Sequence, residues 1–110
     1  MVSDTGIEQF DVYLVRLDPA VGVEMRKARP CVVVSPGLMH RHVRTVIIAP
    51  LTSQPKAYPT RVSCQFEGRL GEVALDHIRA VDRLRLLKRL GAVDEPTATK
   101  IRRALVNMFR

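Results

Sequence analysis

Residues 29–52, RPCVVVSPGLMHRHVRTVIIAPLT, decide the fold of this 110-residue chain. Two apolar, β-branched runs, residues 29–36 and 45–52, are each short enough to be a buried strand. The connection between them, residues 37–44, would fold the second strand back on the first as an antiparallel hairpin. In a symmetric register the numbers of opposed residues add up to 81, which pairs Arg29 with Thr52 and Pro36 with Thr45.

Further strands are expected on both sides of this hairpin. Residues 10–17 (FDVYLVRL) place apolar side chains at period two, which is typical of a strand. Two more candidates, RVSCQF at 61–66 and EVALDHIRAV at 72–81, flank a turn at Gly68–Gly71. We therefore predict about five or six short strands.

The C-terminal part changes to helical spacing. Residues 83–92 (RLRLLKRLGA) fit a helix by propensity, although Gly91 and the short length leave a turn or a strand open. Asp94 is a suitable N-cap for a helix over residues 95–109. One face of that helix is apolar, at Ala98, Ile101, Leu105 and Met108. We therefore predict one domain over residues 1–110, mainly β with α (α+β), a small antiparallel β-barrel with a C-terminal helix.

Cysteine usage and hydropathy indicate a cytoplasmic protein. Cys31 and Cys64 lie within apolar runs, so we expect small, reduced core residues and no disulfide framework. No Cys/His cluster has zinc-ligand spacing, and we expect neither a metal nor a cofactor. The polar N-terminus does not resemble a secretory signal, and no apolar run reaches the roughly 20 residues of a membrane-spanning helix.

The net charge of +7 is unevenly distributed. Residues 1–24 are mostly acidic, whereas residues 25–66 carry seven Lys or Arg side chains and no acid. A long segment of one sign attracts polyanions. Composition alone allows two partners, a nucleic acid or an acidic protein.

Arg29 and Thr52 are the candidate catalytic pair, because the hairpin register places both at one rim of the sheet. A guanidinium fits two phosphate oxygens, and a hydroxyl can donate to the same phosphate. The loops beside them add Glu24, which could orient the arginine or accept a proton, as well as Lys27, Ser53 and Lys56. From the residues alone, ordinary strand-end roles for Arg29 and Thr52 stay open.

Three segments carry a resemblance to a known family. They are DVYLVRLDPAVGVEMRKARPCVVVSP (11–36), IIAPLTSQPKAYPTRV (47–62) and GEVALDHIRAVD (71–82). In this order they resemble the motifs of the MazF/PemK toxin ribonucleases, with Gly-x-Glu, Arg-Pro and Ser-Pro in the first and Pro-x-Thr-Ser in the second. The resemblance covers roughly residues 8–109, including the terminal helix.

The resemblance implies an SH3-like barrel that forms a homodimer and cleaves single-stranded RNA without a metal ion. Attack by the 2′-hydroxyl would leave a 2′,3′-cyclic phosphate and a 5′-hydroxyl, and an acidic, partly disordered antitoxin would block the site. By position, Arg29 and Thr52 match the family's catalytic arginine and threonine, and Glu24 matches the acidic residue before them. The residues expected at the substrate are Lys27, Ser53, Lys56, Tyr58, Asp76, His77 and Arg79, of which Asp76 matches a base used in one branch.

The sequence departs from the family pattern at several positions that face RNA in relatives. Met25 and His77 stand where the family often has Gln, and Ala74 replaces an arginine of the branch that uses the Asp as a base. His77 could carry a proton or simply form a hydrogen bond in a strand. His40 and His42, in the connection at the far end of the hairpin, are poor candidates for chemistry, and we expect an exposed loop role or a contact role.

Two other functions fit the same fold. One is a non-enzymatic toxin similar to the CcdB proteins, which poison DNA gyrase, although their Trp-Gly-Ile terminus is absent here. The other is an RNA-binding module without cleavage. The basic run 79–89 could follow a phosphate backbone, dock an acidic antitoxin segment or form a solvated face.

Overall fold

The computed structural model describes residues 6–17 and 28–110. Short 3-10 turns occupy Leu75–His77 and Arg83–Arg85. The helices and strands, in chain order, are β1 (Asp11–Arg16), β2 (Ala28–Val33), α1 (Gly37–His40), β3 (Thr45–Thr52), β4 (Arg61–Phe66), β5 (Arg69–Ala74), β6 (Arg79–Asp82), β7 (Leu86–Ala92) and α2 (Glu95–Phe109).

The strands form an antiparallel half-barrel. Their order is β4-β5-β3-β2-β1-β7, and β6 pairs with β3 outside this path. β3 is the central strand. It pairs with β6 at Thr45–Ile48, with β2 at Ile48–Pro50 and with β5 at Leu51 and Thr52. The predicted α+β class, a small SH3-like antiparallel barrel with a C-terminal helix, is confirmed.

The central hairpin has the predicted register. Cys31 pairs with Pro50, Val32 with Ala49 and Val33 with Ile48, and each pair adds up to 81. β2 is shorter than the predicted strand 29–36, because Ser35 ends the backbone ladder. Its hydroxyl, rather than a backbone carbonyl, accepts the Ile47 N–H at 2.9 Å.

The segment 72–81 is not one strand, as the sequence suggested. Leu75–His77 form a 3-10 turn between β5 and β6. β5 pairs with the end of β3 and β6 with its beginning, so the chain must change its position along β3 between them. The turn makes this change while the Leu75 side chain stays fully buried.

The ambiguous segment 83–92 is mostly a strand. After the turn at Arg83–Arg85, β7 pairs with β1 at the edge of the sheet. Two irregularities interrupt that pairing, and Gly91 has a φ of +152°. Pairing with β1 therefore overrides the helical propensity of this segment.

Alternation along the strands produces two apolar clusters, one on each face of the sheet. The first cluster includes Val32, Ala49, Val73 and the buried side of α2. The second includes Val15, Cys31, Val33, Val46, Ile48 and Val81. Cys31 and Cys64 are buried free thiols, which confirms their prediction as core residues.

Helix α2 has the predicted cap and apolar face. The Asp94 carboxylate accepts the Thr97 N–H at 3.0 Å, which satisfies a backbone donor of the first turn. Ala98 and Ile101 are buried in the first cluster, and the helix packs against β4. In the parts of the chain that the structure describes, no helix is long and apolar enough to cross a membrane.

His40 corrects one expectation. Its imidazole is buried, with Nε2 2.7 Å from the Ser35 hydroxyl and Nδ1 2.8 Å from the Ile7 carbonyl oxygen. It is therefore a hydrogen-bonded core residue that joins the hairpin connection to the N-terminal segment. His42 is exposed, as predicted.

Candidate active site

Arg29 and Thr52 line one cleft. Extending the β2–β3 register by two residues places them opposite each other at the same rim of the sheet. Both residues line an open cleft of about 870 Å³, together with Ser53. The two residues singled out from the sequence are therefore brought together.

The Thr52 hydroxyl has a defined local role. Its oxygen accepts the Gln54 N–H at 3.1 Å at the point where the chain leaves β3. A hydroxyl that accepts this bond keeps its own hydrogen for donation. Thr52 can therefore donate a hydrogen bond to an oxygen atom of a ligand in the cleft.

Gly71 determines how closely β5 approaches this residue. A Cβ added at Gly71 would lie 2.5 Å from the Thr52 carbonyl oxygen, a distance that real Cβ atoms do not show. Only glycine allows the two backbones to lie side by side here. The position of Thr52 thus depends on a residue that the sequence analysis treated only as part of a turn.

The cleft is lined by both apolar and polar residues. Leu51, Cys64 and Phe66 contribute apolar surface, and Arg69 adds a second guanidinium to that of Arg29. Burial raises the pKa of the Cys64 thiol, so this thiol is not an activated nucleophile. The cleft combines surface that can contact a base with cations that can contact a phosphate.

Arg61 organises a second polar group beside the cleft. Its Nε donates to Asp76 Oδ1 at 2.7 Å, and its Nη1 lies 3.4 Å from Glu72 Oε1. The side chain is only 7 % exposed, although it carries a full charge. Glu72 pairs with Thr52 across β5 and β3, so this group lies next to the candidate catalytic hydroxyl.

Asp76 is held strongly in its ionised form. The hydrogen bond from Arg61, with smaller contributions that include the Thr60 hydroxyl, lowers the pKa of Asp76 to about 2. A carboxylate with so low a pKa is a weak base at neutral pH. The His77 imidazole lies 3.5 Å from the same carboxylate and is well exposed.

The other predicted residues that the structure describes are exposed. Lys56 and Tyr58 are exposed in the segment after β3, with the Tyr58 ring 5.1 Å from the Arg61 guanidinium carbon. Arg79 is exposed on β6, opposite Ile48. Glu24 and Lys27 belong to residues 18–27 and lie outside the described residues.

The charges of Arg29 and Arg79 both act on the buried Cys31 thiol. Burial raises the pKa of the Cys31 thiol to about 12, while the charges of Arg29 and Arg79 act in the opposite direction. Both arginines thus act electrostatically on one buried atom. Within residues 6–17 and 28–110, no group of three His, Cys, Asp or Glu side chains could hold a metal ion.

The sequence analysis missed Arg61, Glu72 and Phe66. Arg61 appeared there only as part of a basic segment, and Glu72 only as part of a strand. The contact between Arg61 and Glu72 follows from the tight turn at Glu67 and Gly68, both of which have positive φ. This turn sets β4 against β5 so that Arg61 lies opposite Ala74 and Ser63 opposite Glu72.

Comparison with known proteins agrees with this architecture. Residues 8–109 match the family described as the PemK-like, MazF-like toxin of type II toxin-antitoxin systems. The chain belongs to this family. Among curated members, it is 33 % identical over 106 residues to endoribonuclease EndoA of Bacillus subtilis, covering 90 % of each chain. It is also 31 % identical over 81 residues to the endoribonuclease toxin MazF of Escherichia coli K12, covering 74 % of this chain and 73 % of that toxin.

Solved structures of the family have the same fold. The MazE–MazF crystal structure (Form-II) from Deinococcus radiodurans matches with a TM-score of 0.79 and 26 % identity, covering 93 % of this chain and 94 % of that one. An endoribonuclease in complex with its cognate antitoxin from a mycobacterial species matches with a TM-score of 0.76 and 27 % identity, covering 92 % of both chains. Membership of the PemK/MazF family therefore rests on both sequence and structure.

Proposed function

We propose that this chain is the endoribonuclease toxin of a type II toxin–antitoxin pair and cleaves single-stranded RNA in the cytoplasm without a metal ion. The observation that carries the proposal is the cleft shared by Arg29 and Thr52. It is supported by the endoribonuclease names of EndoA and MazF, to which the chain is similar. The proposed toxin domain covers residues 1–110.

In the proposed mechanism, the 2′-hydroxyl of the RNA attacks the neighbouring phosphate. The oxygen–phosphorus bond to the next nucleotide breaks and the departing 5′-oxygen takes up a proton, which leaves a 2′,3′-cyclic phosphate and a 5′-hydroxyl. Arg29 stabilises the negative charge that builds up on the phosphate oxygens, and Thr52 donates a hydrogen bond to the same group. Glu24 either orients Arg29 or accepts the proton of the nucleophile.

Other predicted residues would contact the RNA on both sides of the reacting phosphate. Ser53 lines the cleft, and Lys56 and Tyr58 extend from the segment that follows it. His77, Arg79 and Lys27 complete the proposed substrate surface, whereas Asp76 acts through Arg61.

We further propose that the toxin forms a homodimer and is inhibited by an acidic, partly disordered antitoxin. The net charge of +7 favours such a partner. A similar mycobacterial endoribonuclease has been solved with its cognate antitoxin. Charge complementarity would place the acidic segment over the same basic surface that attracts RNA.

Cleavage of a defined single-stranded RNA in excess EDTA tests this function. We expect cleavage to persist, and to slow at least about 100-fold when a single 2′-deoxynucleotide replaces the nucleotide that carries the nucleophile. The new 5′ ends should accept a phosphate from a polynucleotide kinase without prior dephosphorylation. Cleavage of an all-DNA oligonucleotide, or loss of activity in EDTA, would contradict the mechanism.

A further inference from the structure

The segment after β3, residues 53–59, is bound at two consecutive backbone amides by the Glu72 side chain. Glu72 Oε1 accepts the Lys56 N–H at 3.0 Å, and Oε2 accepts the Ala57 N–H at 3.2 Å. Both oxygens of a buried carboxylate are thus used on consecutive backbone amides. Hydrogen bonds to an ionised acceptor are stronger than those between neutral groups.

The backbone at this point adopts a conformation that needs support. Ala57 has a φ of +55°, in the left-handed region that residues other than glycine rarely occupy. Such a conformation persists only when its surroundings hold it. The carboxylate that binds the Ala57 amide supplies this hold.

Arg61 binds the Glu72 carboxylate and also contacts the segment directly, at Tyr58. Its guanidinium reaches Glu72 at 3.4 Å, and the Tyr58 ring lies 5.1 Å from its central carbon. The hydrogen bond from the Lys56 amide is the largest cause of a lowered Glu72 pKa, followed among the favourable contacts by the Ala57 amide and Arg61. Glu72 is therefore ionised at neutral pH, as this role requires.

We propose that Glu72, oriented by Arg61, is a positioning residue that presents the 53–59 segment to the RNA bound in the cleft. This inference rests on the proposed function. Three residues of the predicted substrate surface, Ser53, Lys56 and Tyr58, belong to this one segment. Since Glu72 also pairs with Thr52 in the sheet, one carboxylate links the catalytic rim to the surface that binds the flanking nucleotides.

Amide hydrogen exchange in the unaltered protein provides the first test, read by NMR. The Lys56 and Ala57 amides should exchange at least about tenfold more slowly than they would in an unstructured peptide, because both are hydrogen-bonded to the carboxylate. Exchange at the unstructured rate would overturn the proposal without any variant being needed.

Glu72→Gln provides the second test, because a glutamine side chain keeps one acceptor oxygen and replaces the other by a donor. We expect faster exchange at Ala57, and a KM for an RNA oligonucleotide raised about fivefold or more with kcat within about twofold, since contacts to flanking nucleotides are made in the ground and transition states alike. Glu95→Gln, an equal charge change at an exposed position of α2, is the control and should change neither quantity.

The outcomes separate this inference from the proposed function. If the unaltered protein cleaves RNA and Glu72→Gln leaves KM unchanged, or lowers kcat alone, the positioning role is wrong while the nuclease remains. If the unaltered protein does not cleave RNA, the proposed function fails. Amide exchange then still reports whether the carboxylate holds the segment.

Discussion

At the scale of single residues, Asp76 illustrates how a neighbour changes the role of a side chain. The resemblance to the family suggested a possible base at this position. Here the carboxylate accepts two N–H groups of Arg61 and the hydroxyl of Thr60. With a pKa of about 2, it serves to hold Arg61 rather than to remove a proton.

The pH dependence of stability should reveal this contact. The Asp76 pKa is lower in the folded protein than in the unfolded chain, where it is about 3.9, so its stabilising effect is complete above about pH 4. That effect is lost as the pH falls towards 2. We therefore expect Asp76→Asn to unfold with a shallower pH dependence between about pH 4 and 2 than the unaltered protein.

Chemical denaturation at several pH values measures this difference, with Glu95→Gln as the control for losing one carboxylate. Equal slopes for Asp76→Asn and the unaltered protein would contradict the assigned ion pair. At neutral pH, Asp76→Asn should retain cleavage within about tenfold, because a weak base contributes little to proton transfer. A loss close to that of a catalytic residue would show that Asp76 takes part in the chemistry.

At the scale of elements, local patterns were sufficient for some strands but not for others. The sequence predicted β3 and β4 with their final bounds, and the Asp94 cap. It also predicted the β2–β3 register, in which the numbers of paired residues add up to 81. These features depend on neighbouring residues alone. The sequence did not predict the turn at Leu75–His77, where the chain changes its position along β3. That change depends on β5 and β6 pairing with different parts of β3. The spacing of apolar residues along 72–81 does not reveal this.

Gly71→Ala tests how tightly β5 must approach β3. The added methyl group would meet the Thr52 carbonyl oxygen, so we expect the free energy of unfolding to fall by about 1–3 kcal/mol. Displacement of Thr52 should also lower kcat by about tenfold or more, because small errors of position are costly in catalysis. Denaturant unfolding and RNA cleavage rates measure the two effects.

Gly37→Ala is the matched control for this substitution. The nearest atom to an added Cβ there is a Glu8 oxygen at 3.8 Å, an ordinary contact. Gly37→Ala should leave kcat unchanged. If Gly71→Ala behaved like Gly37→Ala, the close approach of β5 would not position Thr52.

At the scale of the whole molecule, charge and topology contribute different parts of the site. The basic composition pointed to a polyanionic partner, and the hairpin register placed Arg29 opposite Thr52. Neither revealed the cleft, because its lining includes Cys64 and Phe66 from β4, which is separated from β3 by β5 in the sheet order. The roles predicted for Glu24 and Lys27 remain predictions.

Arg61 shows most clearly why part of the site could not be read from the sequence. It is one of 18 Lys and Arg residues, and nothing in its immediate neighbours distinguishes it. Its importance arises when the turn at Glu67–Gly68 brings it opposite the small side chain of Ala74, within reach of two carboxylates. Its role thus depends on β4, on β5 and on the turn at Leu75–His77 together.

The most direct test of the account is a double-mutant cycle on Arg29 and Thr52, with kcat/KM for RNA cleavage as the measurement. Arg41→Ala and Thr45→Ala, both exposed at the far end of the same hairpin, are the matched controls. We expect Arg29→Ala and Thr52→Ala each to slow cleavage by about 100-fold or more. Because both groups act on one phosphate, we expect the double variant to be slowed by clearly less than the product of the two single effects. Rates like those of the controls in both single variants, or losses that simply multiply, would contradict a shared site.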